Sequence, residues 1–215
     1  MTLQNLAQQK LWASFPTDFN DPFEFRVSRA AALAQVNSLR AEYPEVVTLP
    51  EAEICEAICS RIEAELQQFG VTCFTENPTD ILMWSHYADH HRGMCLCLDL
   101  DEEAFRGGTF RVIYAENYPS PDLSQGWHSD GLGKILFTKS KHWAYEKELR
   151  RINTNGEGLF DYPGKLASVI FGCRCSTADR QTIMSILATK SGVEYLEAEL
   201  SSQSYTINLK NYNPI

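Results

Sequence analysis

The residues best suited to chemistry lie in one short run, WSHYADHHRG, which begins at Trp84. On a helix, residues four apart lie on successive turns, so Ser85 would share a face with Asp89, and His86 would share one with His90. The run then brings hydroxyl, carboxylate and imidazole groups together beside aromatic rings. It predicts a ligand-binding surface formed by Trp84, Ser85, His86, Tyr87 and Arg92.

The same run also has a purely structural interpretation. Trp84 and Tyr87 would then pack in the core. The cationic side chains would lie at a solvated helix end, where positive charge suits the helix dipole. His86 and His90 are four apart but Tyr87, not a glutamate, follows His86, so the H-E-x-x-H pattern of zinc proteases is absent. On the sequence alone, both interpretations stay open.

A second group lies in the run KSKHWAYEKELRR, which begins at Lys139. On a strand, Glu146, Glu148 and Arg150 would share one face, because side chains alternate with period two. Arg150 would then hold Glu148 ionised and oriented. The preceding aromatic residues, Trp143 and Tyr145, suit a site that stacks a flat ligand and stabilises a developing cation.

The second group predicts Glu146 and Glu148 as catalytic residues and Trp143, Tyr145 and Arg150 as ligand-binding residues. The alternative is a solvated strand face whose carboxylates are neutralised by neighbouring basic side chains.

A third group is Asn20-Asp21-Pro22-Phe23-Glu24, in which the Asn or Asp side chain before the proline can close an Asx-turn. Asn20 and Asp21 are therefore predicted either as ligand-binding residues or as a rigid turn after the first strand. The sequence has no Walker P-loop, no G-x-G-x-x-G after a strand, no G-x-S-x-G and no H-E-x-x-H. Those absences disfavour the common nucleotide-hydrolase, dinucleotide-binding and serine-hydrolase classes.

The composition is that of an ordinary globular domain, with 215 residues, 44% hydrophobic and 22% charged. The net charge of −9 opposes coating of a nucleic-acid duplex, but it is compatible with a cleft that accepts one nucleotide. The sequence has seven cysteines, an odd number without C-x₂-C spacing, which predicts reduced thiols. It has no signal pattern and no long apolar run, which predicts no membrane contact and a cytoplasmic location.

The patterning predicts one α+β domain over 1–215, with a mostly antiparallel or mixed sheet. A helical insertion is expected over 28–70, and a mainly sheet region with two helices over 71–215. One of these is a late helix packed on the sheet. The expected strands beyond residue 70 are VTCFT, GMCLCLDL, FRVIYA, KILFT, ELRRI, SVIFGC, VEYLEAEL and SYTINL. The expected cleft lies between the 84–92 helix and the 143–150 strand.

Four runs in this order resemble the microbial and phage family catalogued as domain of unknown function 2971. The resemblance covers nearly the whole chain and implies membership without stating an activity. The runs are FNDPFE at 19–24, CFTENPTDILMWSHYADHHRGMCLCLD at 73–99, K-S-K-x-W-x-Y-E-K-E-x-R at 139–150 and VIFGCRCS at 169–176.

The E-x-E element also resembles the glutamate motif of ADP-ribosyltransferases. That resemblance implies that Glu148 binds the nicotinamide ribose 2′-hydroxyl of NAD and stabilises an oxocarbenium-like transition state. Glu146 would engage the nucleophile of a nucleic-acid or protein acceptor. It also implies that Tyr87 or Trp143 stacks on nicotinamide, and that Ser85, His86 or Arg92 contacts the ribose or diphosphate.

The leading hypothesis is therefore an NAD-consuming transferase or glycohydrolase in a toxin or phage-conflict setting. Related proteins commonly carry an additional strand before the first helix, and this chain starts almost at that helix. The first alternative is therefore a sensor or sponge that binds a nucleotide without altering it. Its phosphates would need a basic cluster at the cleft mouth, formed by Arg92, Lys139, Lys141 and Arg150.

The second alternative is a metal-dependent nuclease. Its candidate oxygen and nitrogen ligands are His86, Asp89, His90, His91, Glu146 and Glu148. We predict that no metal is needed, because fixed cations compete for the two glutamates. These cations are Lys139, Lys141, Lys147, Arg150 and Arg151.

Overall fold

The computed structural model describes residues 2–45, 48–100, 102–120 and 130–213. Over these ranges the chain forms the predicted α+β fold. The helices are α1 Leu3–Ala7, α2 Arg29–Glu42, α3 Glu51–Leu66, α4 Ile81–Tyr87, α5 Glu102–Arg106, α6 Asp130–Leu136 and α7 Thr177–Leu187. None of these helices combines the length and apolarity that a bilayer span requires in the described ranges.

The strands are short and fall into four small sheets within the described ranges. They are β1 Lys10–Ala13, β2 Gly70–Thr75, β3 Met94–Leu100, β4 Thr109–Arg111, β5 Ile113–Ala115, β6 Thr138–Ser140, β7 Glu148–Asn153, β8 Gly158–Asp161, β9 Gly164–Phe171, β10 Glu194–Leu200 and β11 Ile207–Asn211. Two 3₁₀ segments, Pro16–Asp18 and Lys141–Glu146, complete the described elements.

One four-stranded sheet has the order β11-β10-β9-β3. Strand β9 runs antiparallel to β3 and parallel to β10, and β10 and β11 form the predicted closing antiparallel pair. Side chains of β9 alternate between two core clusters, because Val169 and Phe171 pack with Leu187 of α7 while Ile170 packs with Trp84. The late helix α7 therefore covers one face of this sheet, as the sequence predicts.

The second large sheet has the order β2-β7-β4 and is antiparallel throughout. Helix α3 presents Ile54, Ile58 and Ile62 at four-residue spacing, and this buried stripe packs with Val71 of β2 and Ile135 of α6. The central strand β7 carries Glu148 and Arg150 on the same side of this sheet. The helical segment thus helps to hold the strand that carries the predicted catalytic residue.

Three details of the predicted elements differ from the structure. The run KILFT, predicted as a strand, is mostly the end of α6, because Leu132, Ile135 and Leu136 bury one helical face. The run FRVIYA forms two short strands that separate at the buried Val112 and pair with different partners, β7 and β6. In the described part beyond residue 70 there are four α-helices, α4 to α7, where the sequence predicts two.

Candidate functional site

The site is organised around the ammonium group of Lys139, which is only 6% exposed. Its Nζ lies 2.5 Å from Glu146 Oε2, 3.0 Å from Glu148 Oε2 and 3.1 Å from Glu24 Oε1. The contact with Glu24 is ionic without hydrogen-bond geometry, since Oε1 of Glu24 has no hydrogen-bond partner. Three buried carboxylates therefore converge on one lysine.

Arg150 is fully buried and closes the other side of this group. Its Nε donates to Glu148 Oε1 at 2.6 Å, its Nη2 donates to Glu24, and its Nη1 donates to the Leu136 carbonyl at 2.7 Å. The guanidinium also lies 4.9 Å from the centre of the Phe25 ring. We call Glu24, Lys139, Glu146, Glu148 and Arg150 the buried ionic cluster. Its three carboxylates exceed its two cations by one negative charge when all are ionised.

The two candidate catalytic carboxylates are not electrostatically equivalent. Burial raises the pKa of Glu148, but the Arg150 guanidinium and the Lys139 ammonium outweigh burial and hold that pKa below its usual range. Burial also raises the pKa of Glu146, and here the hydrogen bonds from Lys139 and Tyr87 do not offset it, so the pKa stays above its usual value. Of these two carboxyl groups, Glu146 is therefore the easier to protonate.

Glu146 and Glu148 do not lie on one strand as predicted. Glu146 ends the 3₁₀ segment Lys141–Glu146, and the strand β7 begins at Glu148. The intervening Lys147 is left-handed, with φ of 45°, so the backbone turns between them and both carboxylates still reach Lys139. The Thr75 hydroxyl fixes this turn by donating to the Glu146 carbonyl at 2.6 Å.

The rings of His86, Tyr87, Trp143 and Tyr145, here called the aromatic wall, lie beside the buried ionic cluster. The Tyr87 hydroxyl donates to Glu146 Oε1 at 2.8 Å, and the His86 ring centre lies 6.3 Å from that of Trp143. Trp143 Nε1 in turn donates to Asp21 Oδ2 at 2.7 Å, and its ring centre is 6.0 Å from that of Tyr145. The structure therefore brings together members of all three predicted groups.

The predicted Asx-turn forms, because Asp21 Oδ1 accepts the Phe23 amide at 2.9 Å. Asn20 lies close to the Tyr87 hydroxyl. Burial and the Glu146 carboxylate raise the pKa of Tyr87, and the Asn20 amide acts in the opposite direction. Both predicted turn residues therefore touch the site region, Asp21 through Trp143 and Asn20 through Tyr87.

A cavity of about 780 Å³ opens against this wall. Lys139 closes it on one side, whereas Glu146 and Glu148 do not line it and lie behind that lysine. A volume of this size accommodates a small organic ligand or a nucleotide. Its lining consists of Asp21, Phe23, Phe25, Arg26, Ala115, Glu116, Asn117, Tyr118, Pro119, Thr138, Lys139, Ser140, His142, Trp143 and Tyr145.

The predicted helical faces around Trp84 do not form. Helix α4 ends at Tyr87, and Asp89, His90 and His91 all have positive φ. The pairing of Ser85 with Asp89, and of His86 with His90, along one helix is therefore wrong. The chain leaves the helix early because the Gly93 and His91 amides bond back to the carbonyls of Ala88 and Trp84.

Of the ten predicted ligand-binding residues, three line the cavity, Asp21, Trp143 and Tyr145, and seven do not: Asn20, Trp84, Ser85, His86, Tyr87, Arg92 and Arg150. Trp84 is 3% exposed and packs in the core, and its ring stacks on His91. The Ser85 hydroxyl lies 3.1 Å from His91 Nε2, and Arg92 contacts the exposed Asp89. The early end of α4 turns this part of the run toward the four-stranded sheet, and the ligand contacts of Trp84, Ser85 and Arg92 stay predictions.

The basic cluster predicted at the mouth of the cleft forms only in part. Lys139 lines the cavity, but Arg150 is enclosed in the cluster and Lys141 pairs with Glu116. Glu24 belongs to the third predicted group but has no predicted role in a site, and Arg26 lies outside the predicted groups. The sequence does carry a signal for Glu24, because a glutamate between Phe23 and Phe25 indicates a carboxylate that is buried with its aromatic neighbours and paired there.

No group of three His, Cys, Asp or Glu side chains among the described residues is arranged to hold a metal ion. Independence from metal stays a prediction, which a chelation experiment can test. Comparison of the chain with protein-family models, with curated proteins and with solved structures finds no match, so both family resemblances also stay predictions.

Proposed function

We propose that this protein binds a nucleotide-type small molecule in the cavity beside Lys139 and holds it without cleaving it. One observation carries the proposal: the cavity is lined by Trp143 and Tyr145, while the two carboxylates that would do chemistry are buried behind Lys139. Because neither glutamate of the E-x-E motif lines the cavity, the arrangement is suited to binding rather than to turnover.

The lining offers contacts for both ends of a nucleotide. Trp143 and Tyr145 present aromatic rings on which a base can stack, a contact that tolerates any base. Arg26 is exposed at the cavity, and its Nε donates to the Pro22 carbonyl. Within the described ranges it has no carboxylate partner, so its guanidinium is available to a phosphate.

Cleavage of NAD by Glu148 would require a rearrangement. Both of its carboxylate oxygens are occupied, Oε1 by Arg150 and Oε2 by Lys139. Freeing a buried, paired carboxylate of this kind costs on the order of 3–5 kcal/mol. A ribose hydroxyl in the cavity would therefore meet Lys139 before it met Glu148.

The NAD-consuming transferase or glycohydrolase is the second candidate. The observation in its favour is that both glutamates of the E-x-E motif lie within 3.0 Å of Lys139, which lines the aromatic cavity. Movement of the Lys139 side chain away from Glu146 and Glu148 would expose both carboxylates to a nicotinamide stacked in the cavity. An NAD-consuming role in toxicity or phage conflict would follow only if cleavage is measured.

The test is a thermal-shift screen with NAD, ADP-ribose, AMP and cyclic and linear dinucleotides, followed by chromatography of each recovered ligand. We expect at least one nucleotide to raise the melting temperature and to be recovered intact. Trp143→Ala should abolish that shift, whereas Trp12→Ala, which removes an exposed tryptophan outside the cavity lining, should preserve it.

The melting temperature of each free variant shows whether it is folded. If Trp143→Ala does not fold, Tyr118→Ala, which removes a partly exposed ring from the cavity lining, takes its place. Absence of a shift with every nucleotide would overturn the proposal. Release of nicotinamide from NAD would replace it with the enzyme candidate.

A further inference from the structure

We infer that the cavity selects a nucleotide whose ring is positively charged, such as an N-alkylated pyridinium or purinium, over the neutral ring of the same shape. This inference rests on the proposed function and names the ligand chemistry of the same cavity. It follows from three observations on the charges that surround the aromatic wall.

The first observation is that the lysine in the cavity wall offers no free positive charge. Lys139 is within 3.1 Å of three carboxylates, and with Arg150 it leaves the buried ionic cluster one negative charge in excess when all members are ionised. The side of the cavity formed by Lys139 is therefore backed by negative charge. An anionic ring would be disfavoured there.

The second observation is an uncompensated carboxylate in the same wall. Asp21 lines the cavity, and its donors among the described residues are neutral, the Phe23 amide and the Trp143 indole. Among the described residues no lysine, arginine or histidine lies within ion-pair distance of it. A cation in the cavity would therefore supply the counter-charge that Asp21 lacks.

The third observation is the ring that Asp21 holds. The indole N–H of Trp143 donates to the Asp21 carboxylate, which makes the ring more electron-rich. Tryptophan is the side chain whose face attracts cations best, and Tyr145 lies next to it. Lys139 Nζ itself lies 5.1 Å from the Trp143 ring centre, so the wall already holds one cation in this way.

The test is isothermal titration with two matched pairs of ligands, NAD⁺ against NADH and N7-methyl-GMP against GMP. In each pair the rings have nearly the same outline and differ in charge. We expect the cationic member to bind about tenfold more tightly, the factor that a cation–π contact of about 1.4 kcal/mol provides. A preference limited to one pair identifies which ring fits and supports the inference for that ring.

Asp21→Asn is the diagnostic variant, because it removes the charge while the amide oxygen can still accept the Trp143 indole hydrogen, and it gives up only the bond from the exposed Phe23 amide. We expect it to bind the neutral ligands as before and to lose most of the preference for the cationic ones. Asp18→Asn is the control, because it removes the same charge from an exposed residue of the same loop outside the cavity lining.

Three results would overturn the inference. These are equal affinity within both pairs, tighter binding of the neutral members, or an unchanged preference in Asp21→Asn. None of these would affect the proposed function, since nucleotides would still bind. Failure of all four ligands to bind, while another nucleotide of the thermal-shift screen binds, would also overturn the inference and leave the proposed function standing. Failure of every nucleotide in both experiments would contradict the proposed function itself.

Discussion

The Tyr87 hydroxyl donates a hydrogen bond of 2.8 Å to Glu146, joining two residues that are 59 positions apart. Tyr87 closes helix α4, and Glu146 closes the 3₁₀ segment Lys141–Glu146. The tyrosine ring is 51% exposed although its hydroxyl reaches a carboxylate that is 2% exposed. Tyr87 therefore covers Glu146 and separates it from solvent.

We predict that Glu148→Gln destabilises the protein more than Glu146→Gln does. Glu148 makes charged contacts with both cations of the cluster, so losing its charge should cost about 3 kcal/mol. Glu146 is the easier of the two to protonate and keeps the Tyr87 hydrogen bond as an amide, so about 1 kcal/mol is expected. Urea unfolding of both variants measures the difference, and equal losses would contradict it.

The same pair should respond to pH with opposite signs. The folded pKa of Glu148 is lowered, so its stabilising contribution is present above the ordinary value of 4.5 and is lost as the pH falls through the folded pKa. The folded pKa of Glu146 is raised, so its contribution is present below 4.5 and is lost as the pH rises through the folded pKa.

Relative to the wild type, Glu146→Gln should therefore gain stability as the pH rises from 4.5, and Glu148→Gln should lose stability as it rises toward 4.5. The measurement is the free energy of unfolding in urea over a pH series that spans this value. Parallel curves for the two variants would show that the two carboxyl groups titrate alike.

Replacement of the buried arginine should be costly even when the charge is kept. Arg150→Lys loses the donor to the Leu136 carbonyl and the forked contact with Glu148, and we expect a loss of about 3 kcal/mol in unfolding free energy. Arg106→Lys is the matched control, because its exposed pair with Glu102 should change stability by less than about 0.5 kcal/mol. Similar values for the two variants would disprove the structural role of Arg150.

Two glycine substitutions should have opposite effects. A Cβ on Gly172 would lie 2.1 Å from the His91 carbonyl oxygen, so Gly172→Ala should displace the loop and lower the melting temperature. Gly133 lies within α6 and a Cβ there meets no atom within 4 Å, so Gly133→Ala should stabilise by about 0.5–1 kcal/mol. Differential scanning calorimetry decides, and a stable Gly172→Ala would show that the loop can yield.

The sequence was sufficient for the main helices and most strands because their signals are local. The stripe Ile54, Ile58 and Ile62 predicts α3, and the Asp21 turn predicts its own Asx bond. The helical faces predicted around Trp84 do not form, because α4 ends at Tyr87. The end of α4 is set by backbone hydrogen bonds that hold the following loop beside the end of β9, and such bonds leave no local signal in the sequence.

The candidate site was predictable in its membership but not in its accessibility. The sequence names Glu146, Glu148 and Arg150, and their types are those of a reactive group. Whether such a group faces a cavity or a neighbouring lysine depends on Lys139, which begins the same run, and on Glu24, which lies 126 positions before Arg150. Long-range charge pairing of this kind leaves no periodic pattern in the sequence.

The contact between Glu24 and Arg150 also has a consequence for biosynthesis, because these residues are 126 positions apart. Loop closure over such a distance is entropically unfavourable, so this contact forms only after the elements between the two residues have condensed. During synthesis on the ribosome, Glu24 could pair with Arg150 only after β7 had emerged. A growing chain would therefore have no closed cavity, and ligand capture would begin only once synthesis had passed residue 150.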